Sequence, residues 1–289
     1  MEEFIITVPK YSEVEISEFN SNDGFMEAYV ELLKQTIELL YRVVGLRYFD
    51  EDGIPQIIDK DEAVIGGNMT RLIKLNVSFL QNVCERKLEI CNIISRCIAE
   101  TYVNIKYILI EGEERVKRNY IKNSLITEKE LWDTILSNIR ENDGEVLPIE
   151  DRMQKSIQES FEVSDFDVEE VKRSSKWKSI KSRSDKVAGE MFYSVYYGIS
   201  SHSVHGNWQD ILSHNLNKEK DGFTLNLDWK SSKPQSIDGP IGLNLDVLKI
   251  FNDKELSNYI PHDILKESLK NLTKYHGCLI ESHEQWISK

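Results

Sequence analysis

The stretch that decides the fold runs Ile90-Cys-Asn-Ile-Ile-Ser-Arg-Cys-Ile-Ala-Glu-Thr-Tyr-Val-Asn-Ile105. Its apolar residues fall nearly all round a helical wheel, which predicts a central, buried helix within a longer one over about Glu85–Glu111. Arg96 and Glu100 are its only charged residues. They stand four apart and so share a face, with Glu89 and Tyr107 on that same face by the 3.6-residue repeat. An arginine and a glutamate taken out of water each cost several kcal/mol, so something has to compensate them. The pair itself is one answer, although arginine before glutamate is the less favourable order along a helix. A polar group on a facing helix, or a ligand in a cleft, is another.

A second stretch offers such groups. From Val187 to Gln209 the only formal charge is Glu190. Counting from it, Ser194, Tyr197, Ser201 and His205 stand at +4, +7, +11 and +15, a narrow sector of an unbroken helix, while Met191, Phe192, Val195, Ile199 and Val204 are core material. Gly206 is a suitable stop. The expectation is that the two polar stripes face each other around one pocket. His205 is then the general acid or base, Arg96 an anion hand, Glu100 or Glu190 an orienting or basic carboxylate, and Ser201 and Tyr197 positioning hydroxyls. A basic segment lies just upstream (Lys172, Arg173, Lys176, Lys178, Lys181, Arg183, Lys186), with Trp177 inside it as a stacking candidate. The sequence thus names His205, Arg96, Glu100, Ser201 and Tyr197 as catalytic candidates, and Glu190, Lys178, Trp177 and His202 as ligand-binding ones. The bland reading stands beside it: an Arg–Glu pair and a few hydroxyls that only fix helix register, and a basic run that is a solvated face.

Around these stretches, helical spacing predicts a helix from Asn22-Asp23-Gly24 to Arg47, another from Asp61 to Leu80 with Gly66-Gly67 packed closely against a neighbour, and a last one from Pro261 to Trp286. Trp132, Ile135 and Ile139 mark one apolar face in the more polar residues 112–175. Residues 1–22 are expected to be an extended lead-in, with a short edge strand over Phe4–Val8. Phe223–Trp229 alternates with period two and is expected as a strand, with Ser231–Gly242 as loop. The fold class is therefore all-α: a multi-helix bundle with long buried central helices and a small β or extended patch, residues 23–289 forming a single helical domain.

Composition limits the function. The 289 residues carry 36 Lys and Arg against 49 Asp and Glu, a net charge of −13, which argues against a protein that coats DNA or anionic lipid by charge alone. Nothing approaches the ~20 apolar residues of a membrane span, and the acidic start lacks the order of a signal peptide, so a cytoplasmic protein is expected. Cys84, Cys91, Cys97 and Cys278 show no metal-ligand or Cys-x-x-Cys spacing and are expected as small reduced residues. His202-x-x-His205 with His214 nearby has no matching carboxylate, and His262, His276 and His283 are expected at the surface, so no metal and no cofactor is predicted. P-loop, Rossmann, nucleophile-elbow, zincin and EF-hand motifs are absent from the sequence.

The Arg96-Cys-Ile-Ala-Glu100 helix, Trp177-Lys178 and Tyr197-Gly-Ile-Ser-Ser-His-Ser-Val-His205-Gly206 together resemble a bacterial domain-of-unknown-function family with helical Arg-x-x-x-Glu, Trp-Lys and Tyr-x-x-x-Ser-x-x-x-His-Gly motifs, in order over residues 25–285. More distantly, the helical layout is similar to the higher-eukaryote-and-prokaryote nucleotide-binding (HEPN) superfamily, many of whose members are RNases of toxin–antitoxin and phage-defence systems. Those RNases carry an arginine four to six residues before a histidine on one helix. Here Ile199, Ser200 and Ser201 precede His205, and Tyr196, Tyr197 and Gly198 precede His202. The resemblance implies an all-helical protein. With the polar stripes, it leads to the expectation of a pocket for a phosphate-bearing ligand, a nucleotide or RNA, hydrolysed in a bacterial stress or defence response. The alternative is a non-catalytic helical subunit that docks a protein partner or a second copy, with no membrane partner in either case.

Overall fold

The computed structural model describes residues 10–171, 176–258 and 262–289, apart from the side chains of residues 199 and 200. The expected strand at Phe4–Val8 lies outside the described residues, as do Lys172 and Arg173. The architecture is all-α with one small antiparallel hairpin. The chain falls into two compact units, one of residues 1–110 and 183–289 and the other of residues 111–182.

The first unit is built on long helices. Inside the expected extended lead-in lies a short one, α1 (Glu13–Ser17), because Ser12 and Glu15 form a reciprocal capping box. Helix α2 (Asn22–Tyr48) begins at the Ser21 cap, α3 (Lys60–Cys84) at the Asp59 cap, and α4 (Leu88–Glu111) follows a three-residue connection. Gly66 of α3 packs as expected: a Cβ there would stand 3.2 Å from the Tyr48 ring. Later come α7 (Ile180–Ala188), α8 (Glu190–Phe192), a π-helical turn (Tyr193–Tyr197), α9 (Gly198–His205) and α10 (Trp208–His214). The hairpin β1 (Leu216–Glu219) and β2 (Gly222–Leu225) pairs Leu216 with Leu225 and Glu219 with Gly222. The strand thus begins earlier than Phe223 and stops at Leu225, because Lys220-Asp221 closes a tight turn and the Asn226 side chain caps the Asp228 amide at 3.1 Å.

Helices α11 (Pro234–Glu255) and α12 (His262–Ile287) complete the unit. Helix α11 starts inside the expected loop, with Pro234 in its first turn, where the missing N–H costs nothing. Pro240 sits buried within it, at a position where a proline costs a helix about 3 kcal/mol. Helix α11 packs against α2 and α12, and α2 against α3. At the centre, Asn76 of α3 and Asn244 of α11 exchange amide hydrogen bonds of 3.0 and 2.9 Å. Asn76 also donates to the Leu72 carbonyl and Asn244 to Thr36 of α2, so these fully buried amides pin three helices in register. His276 and His283 are buried rather than superficial: His276 bonds Asp238 at 2.7 Å, and His283 lies among Phe25, Tyr29 and Trp286.

In the second unit, α5 (Glu114–Glu141) and α6 (Pro148–Val163) enclose a core of Leu125, Ile135, Ile157, Phe161, Phe166 and Val171, onto which Trp132 and Ile139 pack as the apolar face predicts. Among the described residues, no helix is long and apolar enough to cross a membrane.

Candidate functional site

Helix α4 and the segment after Gly189 do meet through their polar residues. Arg96 Nε donates to Glu100 Oε1 at 3.1 Å and Nη2 donates to the Tyr197 hydroxyl, while the guanidinium carbon lies 4.0 Å from the Tyr197 ring centroid. Tyr193 stacks on Tyr197 at 4.8 Å, which extends the column. On the adjacent residue of each segment, Ser95 and Tyr196 bring their hydroxyls to 3.4 Å. Burial first, then the Glu100 carboxylate, holds the Tyr197 phenol above its ordinary pKa against the pull of Arg96, so it stays neutral. Burial does the same to Tyr196.

The pair is not the buried couple the sequence suggests. The Arg96 side chain is 11% exposed but that of Glu100 is 42% exposed. Arg96 Nη1 is buried without a hydrogen-bond partner. The tyrosine, more than the glutamate, therefore shares the desolvated face of the guanidinium, and Arg96 is committed to holding Tyr197 against α4.

His205 stands apart. The expectation of one unbroken helix fails twice. Gly189, at φ 84°, separates α7 from α8. The Gly198 N–H then bonds the Tyr193 carbonyl, an i→i+5 turn that inserts one residue, or about 100° of rotation, relative to a 3.6-residue count. Residues beyond the turn leave the stripe. His205 is exposed at the last position of α9, and among the described residues no hydrogen bond or ion pair joins it to Arg96 or Glu100. Glu190 is exposed as well, and Ser201 is half-buried. Trp177 and Lys178 belong to the second unit, where Trp177 meets Tyr120 edge-on at 5.3 Å and Lys178 is exposed. The basic run is divided: Lys176, Lys178 and Lys181 are solvated, whereas Arg183 is buried and donates to Asn104.

What the segment does build is a cleft of about 450 Å³ in the first unit, within the usual range for small-molecule sites. Asn92 and Ser95 of α4 form one wall; Tyr196, His202 and Ser203 a second; Gln209, Asp210, Ser213 and His214 of α10 a third; Gln235, Ser236 and Gly239 of α11 the last. Gly206, at φ 55°, turns the chain out of α9 in the left-handed region, and Asn207 caps α10 by accepting from the Asp210 amide at 3.3 Å. That bond fixes the Asn207 amide, so its Nδ2 faces His202 Nδ1 as donor. The neutral His202 ring then carries its proton on Nε2, which has no partner among the described residues. His214 is 9% exposed and lies between carboxylates, Nδ1 3.7 Å from Glu89 and Nε2 3.9 Å from Asp210. Gly239 leaves room for Tyr196, since a Cβ there would come within 2.6 Å of its phenol.

Of the sequence candidates, the structure brings together Arg96, Glu100 and Tyr197, and places His202 in the cleft. Asp210, Ser95, Tyr196 and the α11 wall were missed. The Asn207-x-x-Asp210-x-x-x-His214 spacing, a capping residue followed by two groups on one face, was the signal that could have found Asp210. No group of three or more His, Cys, Asp or Glu among the described residues is placed to hold a metal ion.

The chain belongs to a family of unknown function, DUF5677, which matches residues 62–223. The match runs from α3 through β2, and so takes in three walls of the cleft and leaves out the α11 wall. No curated protein and no solved structure matches the chain.

Proposed function

We propose that the cleft binds a small hydrogen-bonding ligand of the nucleoside or nucleotide class, and that His202 is its proton-transfer group. One observation carries this reading. The walls alternate amides, hydroxyls and imidazoles, and no lysine or arginine lines the cleft among the described residues. Amides such as Asn92, Gln209 and Gln235 suit the donor and acceptor edges of a base. Recognition then rests on the base and sugar, with the phosphate contributing little, because Arg96 is engaged by Tyr197 and Glu100. His202, oriented by Asn207 and presenting Nε2, donates a hydrogen bond to a ligand oxygen when the ring is neutral and gives a proton to a leaving oxygen from its imidazolium form; this supports hydrolysis, RNA cleavage included, as the associated chemistry. His214, with a carboxylate near each ring nitrogen, serves better as an electrostatic anchor of the cleft.

Calorimetric titration with matched nucleosides, nucleoside monophosphates and inorganic pyrophosphate tests the proposal. Nucleoside and monophosphate should bind within about threefold of each other, a difference below 1 kcal/mol. His202→Ala and Gln235→Ala should weaken both, and His205→Ala should not. Failure of every nucleoside and nucleotide to bind, or competition by pyrophosphate alone, overturns it. The alternative of a non-catalytic helical subunit draws on the Arg96–Tyr197 contact, which uses the most suggestive charged residue for packing. It is favoured if the empty-handed titration is accompanied by unchanged cellular function of His202→Ala.

A further inference from the structure

We propose that the hairpin pairs with the hairpin of a second copy of this chain, β2 against β2, about a two-fold axis through Asn226. The starting point is a mismatch between pattern and structure. The period-two alternation runs from Phe223 to Trp229, yet the strand ends at Leu225. Its apolar members are exposed: Leu225 78% and Leu227 92%, with Phe223 at 49% beside the Trp208 ring and Trp229 at 52% beneath the Lys87 ammonium. A surface row of that kind exceeds the scattered apolar residues of an ordinary monomer.

Among the described residues, the backbone groups of Phe223 and Leu225 lack a partner too. The sheet has two strands, and Asn226 N–H bonds the Asn215 carbonyl at 2.8 Å. By the antiparallel alternation, the N–H and C=O groups of Phe223 and Leu225 therefore face away from β1, toward an edge that no strand covers among the described residues. A second copy fits that edge better than another partner, because the segment is self-complementary. Antiparallel pairing about Asn226 sets Phe223 opposite Trp229 of the other copy and Leu225 opposite Leu227, all on one face. The one charge in Phe223–Trp229, Asp228, falls opposite Thr224 rather than opposite itself. A chain with net charge −13 repels its own copies over most of its surface, and this near-neutral stretch is where two can approach. Pairing would release the Asn226 side chain from the Asp228 amide and let the strand run its full seven residues.

Sedimentation equilibrium and light scattering on the full chain, at concentrations up to about 100 μM, read the association. The expected result is a dimer whose dissociation constant rises roughly tenfold or more in Leu225→Asp and in Leu227→Asp, since each substitution puts two carboxylates in place of two leucines per dimer. Both positions are so exposed that the circular dichroism of the monomer should not change. The register is read in a Cys84→Ser background, where Asn226→Cys should form the intermolecular disulfide in high yield and Leu225→Cys only when mixed with Leu227→Cys. A wild-type monomer throughout the range, a dimer indifferent to both aspartates, or binding of a monomer to phosphatidylcholine–phosphatidylglycerol vesicles that the aspartates abolish would each overturn the proposal.

Discussion

Removing the charge of Glu100 should cost little, and removing the guanidinium of Arg96 should cost much. The two groups sit in different media. Arg96 is 11% exposed, and its contacts are the Tyr197 hydroxyl, the Tyr197 ring face at 4.0 Å and Glu100 Oε1 at 3.1 Å. The bond to the hydroxyl carries a charge on the donor and is worth about 1.5–3 kcal/mol. The desolvated ring contact adds about 1–2 kcal/mol. The ion pair, with a carboxylate 42% in water and in the less favourable order, adds at most about 0.5 kcal/mol. Against these stands the orphaned Nη1, whose removal returns about 1 kcal/mol. Arg96→Met should therefore destabilise the fold by about 2–4 kcal/mol, Tyr197→Phe by about 1–2 and Glu100→Gln by no more than about 0.5.

Urea denaturation followed by circular dichroism, arranged as two double-mutant cycles, separates the terms. The Arg96–Tyr197 coupling should exceed about 1.5 kcal/mol and the Arg96–Glu100 coupling stay below about 0.5. A Glu100→Gln cost as large as that of Arg96→Met, or the larger coupling lying with Glu100, would refute the reasoning. The polar stripe of α4 would then be an ion pair first and a tyrosine clamp second.

Other consequences follow from the core and the cleft wall. Asn244→Ala breaks three hydrogen bonds and strands the Asn76 carbonyl, so it should cost about 3–4 kcal/mol; Asn76→Ala on top of it should add far less than it does alone, as chemical denaturation will show. Burial among Phe25, Tyr29 and Trp286 holds the His283 pKa below its ordinary 6.5. The unfolded chain therefore takes up a proton below about pH 6.5 that the folded chain refuses. This contribution is fully present above that pH and is lost as the pH falls, with a slope of up to about 1.4 kcal/mol per unit. Thermal melts of His283→Phe from pH 7.5 to pH 5 should show a shallower acid decline than the wild type; an unchanged decline would assign it elsewhere. Gly239→Ala drives a methyl into the Tyr196 phenol and should cost about 1–3 kcal/mol while weakening ligand binding, and Gly239→Ala with Tyr196→Phe should recover part of the stability but not the binding.

The sequence shows its long helices clearly because packing and periodicity agree in them. Helix α4 is apolar nearly all round and has no glycine or proline, and α2 carries a 3.6-residue stripe with glycine only near its ends, at Gly24 and Gly45. Helix α11 hides for the opposite reason. Pro234, Gly239, Pro240 and Gly242 all argue for a loop locally, and the helix exists because tertiary contacts outweigh them: Pro240 and Ile241 are buried, Gly239 admits Tyr196 and Asn244 completes the amide network. Helix α1 was legible, since Ser12-x-x-Glu15 is a capping box, but an isolated helix of five residues is too short to be trusted without the cap geometry. His276 and His283 look like surface residues in a charged tail. What buries them, Asp238 and the Phe25–Tyr29 face, lies far away along the chain.

The site was half legible, and the π-turn is the reason. Counting by 3.6 from Glu190 reaches Tyr197 correctly, and Tyr197 does meet Arg96. The same count carried through the turn puts Ser201 and His205 on that stripe, where the added residue removes them. The histidine that lines the cleft is His202, three residues earlier; both histidines are exposed, but His205 is not part of the lining. Insertions of this kind leave no composition signature; Tyr193-Ser-Val-Tyr-Tyr197 is ordinary helix material. Their cost in helix geometry persists when something compensates. Here the Arg96–Tyr197 clamp and the Ser95–Tyr196 contact, on adjacent residues of both helices, supply that compensation. Loosening the clamp should therefore let the segment relax toward regular α-helix and draw His202 out of the cleft, so Arg96→Met, a residue outside the lining, should lose ligand binding together with His202→Ala.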